Sequence, residues 1–167
     1  RAMCVKALED GGLMPAEDFM VRFPHELSGG QLQRISILRS MLLEPLFLVA
    51  DEPVSMLDVS VRAEIIHMFQ RLCRTHNTAI LFISHDIAIV RYVSQRVAVM
   101  YLGRIVEMGD ADTVIQHPMH PYTQALISNC SSIDPDADMP VISIEGEPPS
   151  PVDPGPGCYF ADRCFKA

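Results

Sequence analysis

Ser28 is followed by two glycines and a glutamine, and these residues open an amphipathic run that extends to Leu43. A serine at this place can accept a hydrogen bond from the first free N–H groups of a helix, and neighbouring glycines leave those groups open to an oxyanion. Ser28, Gly29, Gly30 and Gln31 therefore predict a capped helix N-terminus that can bind an anion. Ordinary helix caps use the same residue types, so this motif alone does not decide the chemistry.

Two adjacent carboxylates follow a short apolar run. Residues 46–50 predict a strand that is buried on both faces of a mostly parallel sheet, and Asp51 and Glu52 come directly after it. Open α/β sheets bind their ligands at this carboxyl edge. One carboxylate can hold the water shell of a cation that bridges phosphates, and the second can orient an attacking water. A pair of solvated acids at a strand end is the alternative interpretation.

A histidine follows the next apolar run. Residues 78–83 predict a second buried strand, and His85 comes shortly after its end. An imidazole beside the edge that bears Glu52 can donate a hydrogen bond to a terminal phosphate. A lone histidine here would more often be a structural cap, but its position relative to the acid pair favours a functional role.

Composition sets limits on the class of protein. The chain has 167 residues, of which 49% are hydrophobic, and its formal charge of -8 argues against nucleic acid as the main partner. No apolar run approaches the roughly 18 residues of a membrane-spanning helix, and we find no signal-peptide pattern. Five cysteines, an odd number spread along the chain, fit a reducing compartment. These features predict a soluble, cytosolic α/β domain.

The remaining elements are predicted from periodicity and breakers. We expect a hairpin of residues 96–101 and 104–108, and a proline-rich tail over residues 134–157 with one possible strand at 141–144. We expect a first helix that ends near Leu8, a short helix led by Pro15, and helices over residues 59–76, 87–93 and 122–129. Asp110 is expected to cap a further helix that runs through Gln116.

Histidines and cysteines near the end of the chain raise the question of a metal. His117 and His120 lie between prolines with no further ligand nearby in sequence, so a metal site there is disfavoured. Cys158 and Cys164 are two thiols, whereas a zinc or iron–sulfur centre needs four ligand positions. A cluster at these cysteines would need ligands beyond those in the sequence.

Taken together, the motifs resemble those of an ABC ATPase subunit. Residues 28–31 resemble the signature motif, 51–53 the Walker B motif, 55–58 the D-loop and 84–86 the switch histidine, in that order and spacing. The segment from His117 to Leu126 and the cysteine-bearing tail are similar to the C-terminal extension of the subgroup that energises oligopeptide and dipeptide importers, which also includes nickel and glutathione systems.

Three features of the family are absent from the sequence. We find no glycine-rich loop of the G-x-x-x-x-G-K-[ST] type, which would cradle the β- and γ-phosphates, and the family's glutamine loop and adenine-stacking aromatic are absent as well. The resemblance thus implies the C-terminal part of a partial P-loop NTPase fold. We expect residues 1–43 to end the helical subdomain, 44–116 to form the C-terminal part of the ATPase core, and 117–167 to form the extension.

The resemblance also implies roles for single residues, with ATP and Mg²⁺ as ligands. Two subunits would close head to tail, and the signature residues of one would touch the γ-phosphate of the nucleotide held by the other. Asp51 would hold the Mg²⁺ shell, Glu52 would polarise the attacking water, His85 would contact the γ-phosphate and Asp58 would link the two sites. Gln31 completes the nucleotide-binding motif.

The implied partners are a second ATPase subunit, identical or a sister, and transmembrane permease subunits that the chain would contact from the inner face of the membrane. Two alternatives remain. The chain could belong to an ABC-type ATPase that does not transport, although the tail from His117 onward argues against this. It could also be an inactive fragment that acts only as an interaction module, which the missing phosphate loop makes plausible.

Overall fold

The computed structural model describes residues 1–130, 141–150, 152 and 155–167. The chain divides into two compact units, residues 1–85 and residues 86–167, which are described separately. The prolines at positions 135, 140, 151 and 154, which contribute to the expected proline-rich tail, lie outside the described residues. Among the described residues, we find no helix that combines the length and the apolar character needed to span a membrane.

The first unit combines four α-helices with two strands. In chain order they are α1 (Ala2–Asp10), α2 (Ala16–Phe19), α3 (Gly29–Met41), β1 (Phe47–Asp51), α4 (Val59–His76) and β2 (Ala79–Ile83). Its buried side chains come mainly from α3 and α4, including Ile37, Leu38, Met41, Ile65, Phe69 and Leu72. Helix α4 ends at Asn77, whose left-handed backbone suits a helix C-cap. The predicted helix over 59–76 is confirmed.

The parallel arrangement of β1 and β2 is confirmed, with Phe47 opposite Ala79 and Asp51 opposite Ile83. The prediction that these strands are buried on both faces is wrong for the described part of the chain. Phe82 contacts Phe69 of α4, so one face of the sheet packs on that helix. Side chains alternate between faces, and Val49 and Leu81 on the other face stay about half exposed, at 52% and 49%.

The described part of the second unit carries an antiparallel hairpin, three α-helices and one 3-10 helix. Its elements are α5 (Ile87–Val93), β3 (Arg96–Tyr101), β4 (Arg104–Asp110), α6 (Ala111–Gln116), α7 (Pro121–Ser128) and a 3-10 helix (Ala161–Arg163). The hairpin is confirmed, with a turn at Leu102 and Gly103, both at positive φ. Asp110 caps α6 by accepting the N–H of Thr113, as expected.

The possible strand at residues 141–144 is not formed, so this prediction is wrong. The backbone of Ile142 bonds to side chains instead of a neighbouring strand. Its N–H donates to Ser128 Oγ at 2.9 Å, and its carbonyl oxygen accepts from Asn129 Nδ2 at 3.0 Å. Two side chains at the end of α7 thus satisfy the groups that a sheet ladder would otherwise use.

An aromatic cluster holds the end of the chain against the hairpin of this unit. Phe160 is only 1% exposed and packs against Tyr101, Tyr122 and His120, with ring centroids 5.2, 5.3 and 5.9 Å away. Arg163 donates to Tyr101 Oη and to the carbonyl oxygen of Gly146. The segment at 155–167 is therefore anchored by burial of one phenylalanine and by one arginine fork.

Candidate functional site

Helix α3 begins with a reciprocal cap. The hydroxyl of Ser28 accepts the N–H of Gln31 at 3.3 Å, and the side-chain oxygen of Gln31 accepts the N–H of Ser28 at 3.0 Å. This arrangement is a capping box, and it confirms Ser28 as the predicted N-cap. It also gives Gln31 a local role in orienting the helix start. The N–H groups of Gly29 and Gly30 in the first helical turn have no intrahelical acceptor, and Gly29 is exposed.

A pocket of about 640 Å³ lies in front of this helix start. Its walls include Ser28, Gly29 and Gly30, together with Asp58 at the start of α4. Arg34 and Glu64 line it as well. The structure thus brings the predicted anion-binding residues and Asp58 together around one open, polar pocket. Asp51, Glu52 and His85 are not among its walls.

Glu52 and His85 form a second cluster at the carboxyl edge of the parallel strands. Because Asp51 is paired with Ile83, the residues that follow the two strands emerge next to each other. Oε1 of Glu52 lies 3.0 Å from the backbone N of His85 and 2.8 Å from its Nδ1. The predicted adjacency of the acid and the imidazole is therefore confirmed by the geometry.

Glu52 is held in an unusual backbone conformation. Its φ of 45° lies in the left-handed region, which non-glycine residues rarely adopt. The N–H of Glu52 donates to the carbonyl oxygen of Ile83 at 3.0 Å, so the sheet ladder fixes this residue. Backbone strain of this kind, about 1–3 kcal/mol, persists where the surroundings impose it, and it is concentrated at functional sites.

The second carboxylate oxygen of Glu52, Oε2, is buried and has no hydrogen-bond partner among the described residues. A buried acceptor of this kind calls for a donor such as a water molecule. The exposed carboxylate of Asp51 lies next to it in sequence, at the last position of β1. Hard oxygen ligands at a strand end fit a Mg²⁺ ion with its water shell, so these residues suit the predicted metal.

The histidines and cysteines of the second unit do not form a metal site within the described part of the chain. We find there no group of three or more His, Cys, Asp or Glu side chains that could hold a metal ion. His120 instead caps α7, since its Nδ1 accepts the N–H of Tyr122. Cys158 is exposed, and Cys164 is partly buried beside the 3-10 helix, and both are free thiols.

Sequence reasoning missed the residues that join these elements. Arg34 donates to the carbonyl oxygen of Gly11 at 3.1 Å and pairs with Glu64. In the second unit, the carboxylate of Glu107 accepts the N–H groups of Met119 and His120 at 2.8 and 3.0 Å. Partial burial raises the pKa of Glu107, but the two amides, the side chain of Thr123 and the charge of His120 together lower it by more, so its pKa lies below its usual value. No local sequence pattern marks such long-range pairs.

The capped helix facing an open pocket and the acid–histidine pair at the edge of a parallel sheet agree with the ABC-type ATPase that the sequence motifs resemble. Comparison with known proteins confirms this class. Residues 2–55 match the ABC transporter family, and residues 106–167 match the family described as the oligopeptide/dipeptide transporter C-terminal region. The chain thus contains a segment of the ABC transporter family and the C-terminal region of the oligopeptide/dipeptide transporter family.

Several individual relatives are named as peptide transport ATP-binding proteins. The chain is 50% identical to the di/tripeptide transport ATP-binding protein DppF of Pseudomonas aeruginosa, over 92% of its own length and 47% of the relative. It is 46% identical to the oligopeptide transport ATP-binding protein OppF of Salmonella typhimurium, over 98% and 48%. For the putative oligopeptide transport ATP-binding protein YkfD of Bacillus subtilis the identity is 47%, over 96% and 49%. The chain spans about half the length of the curated relatives it matches.

Proposed function

We propose that the protein containing this chain is the ATP-hydrolysing subunit of an importer for oligopeptides or dipeptides. The likeness to peptide transport ATP-binding proteins over at least 92% of the chain supports the substrate class. The observation that carries the ATPase proposal is the contact between Glu52 and His85 at the end of two parallel strands. A non-transporting ATPase is not favoured, because the C-terminal region of the chain matches the peptide transporter family.

At its own nucleotide, this chain would supply Asp51, Glu52 and His85. Glu52 would orient a water and accept its proton as the water attacks the terminal phosphorus, and ADP would leave as the bond to its β-phosphate oxygen breaks. His85, whose side chain is 77% exposed, is free to turn an N–H toward that phosphate. Asp51 would hold the water shell of Mg²⁺, and the ion, when bound, would offset the negative charge of the phosphates.

The signature residues would act on a second nucleotide. Ser28, Gly29 and Gly30 line a pocket separate from the cluster of Glu52 and His85, which supports their working across an interface with a second ATPase subunit. The positive end of α3 and the N–H groups of Gly29 and Gly30 would then bind the γ-phosphate held by that partner. Asp58 in the same pocket would link the two sites, and Gln31 would keep the cap in place.

The remaining partners would be permease subunits, which places the protein at the inner face of the cell membrane. Hydrolysis would separate the two ATPase subunits and move the permease. An iron–sulfur cluster at Cys158 and Cys164 would require ligands in addition to these two thiols, and it forms no part of this proposal.

The test is Glu52→Gln in the intact subunit, assembled with its partner. The change keeps the shape of the side chain and an oxygen that can accept a hydrogen bond from His85. It removes the negative carboxylate that would accept the proton of the attacking water. We expect ATP to be bound and not hydrolysed, and the dimer to be trapped, as measured by retained radiolabelled nucleotide and by size-exclusion chromatography. Loss of ATP binding would instead assign Glu52 a structural role.

A further inference from the structure

The two signature glycines have different surroundings. A Cβ atom added at Gly29 would lie 3.9 Å from its nearest neighbour, Leu57 Cδ2, which is an ordinary van der Waals contact. A Cβ added at Gly30 would lie 2.6 Å from Val61 Cγ1, closer than carbon atoms can approach. Gly30 is thus the place where α3 touches the first turn of α4.

Val61 cannot easily move away from such an atom. Valine in a helix has one strongly preferred χ1 rotamer, because two heavy atoms branch from its Cβ. Val61 also lies three residues after Asp58, which precedes the first residue of α4 and lines the pocket with the signature residues. The contact between Gly30 and Val61 therefore fixes the distance between α3, which begins with the signature residues, and Asp58 at the end of the D-loop.

A second contact reinforces the first one turn further along α3. Arg34, whose side chain is only 19% exposed, pairs with Glu64 of α4 and donates to the carbonyl oxygen of Gly11. The planar guanidinium can make both bonds at once, which a lysine cannot do with the same geometry. Arg34 and Val61 both line the pocket themselves.

We propose that Gly30, Val61 and Arg34 clamp the signature helix to the start of α4, so that the signature motif and the D-loop of one subunit meet the partner's nucleotide as one rigid unit. Val61 and Arg34 are positioning residues in this proposal. Gly30 has a packing role in addition to any contact with phosphate. The functional part rests on the proposed ATPase, whereas the packing part does not depend on it.

The packing part is tested by thermal unfolding of the intact subunit without nucleotide. Gly30→Ala should lower the midpoint by about 3–6 °C because of overpacking, and Gly29→Ala, the matched control, should change it by less than about 1 °C. Adding Val61→Ala to Gly30→Ala should recover at least half of the loss. Equal effects of the two glycine variants, or no recovery in the double variant, would overturn the clamp whatever the protein's activity.

The positioning part is tested by steady-state ATP hydrolysis at a temperature where every variant is folded. Val61→Ala alone leaves a gap at the contact, and we expect kcat to fall about fivefold or more while KM for MgATP changes less than twofold. Ile66→Val, at a buried position further along α4, is the control for a mere loss of stability. A matching fall in kcat for the control, or an unchanged kcat for Val61→Ala, would overturn this role. Failure of the proposed function would show differently, as wild-type activity that Glu52→Gln does not remove.

Discussion

Oε1 of Glu52 lies within hydrogen-bond distance of both the backbone N and the ring Nδ1 of His85, at 3.0 and 2.8 Å. The backbone contact survives any change of the His85 side chain, whereas the ring contact does not. Because the imidazole is 77% exposed, it contributes little to packing. The backbone N–H of His85 can therefore orient Glu52 without the imidazole, and the imidazole ring is left for the proposed chemistry.

His85→Ala should accordingly leave the fold intact and remove activity. We expect the midpoint of thermal unfolding to change by less than about 2 °C. We expect ATP turnover by the intact subunit to fall about 10²-fold or more, the range for loss of one positioned proton donor. Circular dichroism melting curves and phosphate release measure the two effects. A fall in the melting midpoint well beyond about 2 °C would contradict this prediction, because it would show that the imidazole supports the fold.

The sequence predicted most of the elements because their signals are local. The helix over 59–76 has regular apolar spacing, and Asp110 and Ser28 are recognisable caps. The adjacency of Glu52 and His85 followed from placing two apolar runs side by side in a parallel sheet. These are cases in which local pattern and tertiary structure agree.

Tertiary environment was not predictable in the same way. An apolar run such as residues 46–50 fits a strand buried on two faces, but the number of covered faces depends on what packs against it. The strand expected at 141–144 failed because Ser128 and Asn129 offer side-chain partners from another element. The close approach of Gly30 to Val61 and the pairing of Arg34 with Glu64 join residues about 30 positions apart, so no motif reveals them.

Arg34 bonds to both Gly11 and Glu64, so removing Arg34 should destabilise the protein more than removing Glu64. Arg34→Ala removes a largely buried donor to the carbonyl oxygen of Gly11 together with the ion pair, and we expect it to lower the free energy of unfolding by about 1–2 kcal/mol. Glu64→Ala removes an exposed carboxylate and should cost less than about 1 kcal/mol. Urea unfolding of the intact subunit measures both. Equal losses would show that the bond to Gly11 contributes nothing.

Glu107 should make stability depend on pH. Its pKa is lowered in the folded protein, so its stabilising effect is present above the unfolded pKa, near 4.5, and is lost as the pH falls through the folded value. Glu107→Gln should therefore reduce stability by about 1 kcal/mol at pH 7, a modest value because the carboxylate is partly screened by solvent. The difference from wild type should shrink between pH 5 and about pH 3 in urea unfolding, and a constant difference would exclude the charged form as the cause.

The cysteines should differ in reactivity. Burial raises the pKa of Cys73 to about 11, while Cys158 is exposed. Since the thiolate is the reactive form, Cys158 should be alkylated in the native protein well before Cys73 at pH 8. Peptide mapping by mass spectrometry after timed treatment with iodoacetamide gives the order. Addition of denaturant should remove the difference, and early labelling of native Cys73 would contradict its burial.

Phe160 should hold the end of the chain in place. Its ring is 1% exposed and contacts three rings of the same unit, so Phe160→Ala leaves a cavity in the aromatic cluster and should cost about 3–5 kcal/mol for that unit. The matched control is Phe165→Ala, because Phe165 lies in the same segment but is 45% exposed, and it should change stability by less than about 0.5 kcal/mol. Limited proteolysis should cleave the segment at 155–167 much faster in Phe160→Ala than in wild type or in the control. Cleavage at equal rates in all three proteins would show that the segment is anchored by Arg163 and its carbonyl partners without help from the phenylalanine.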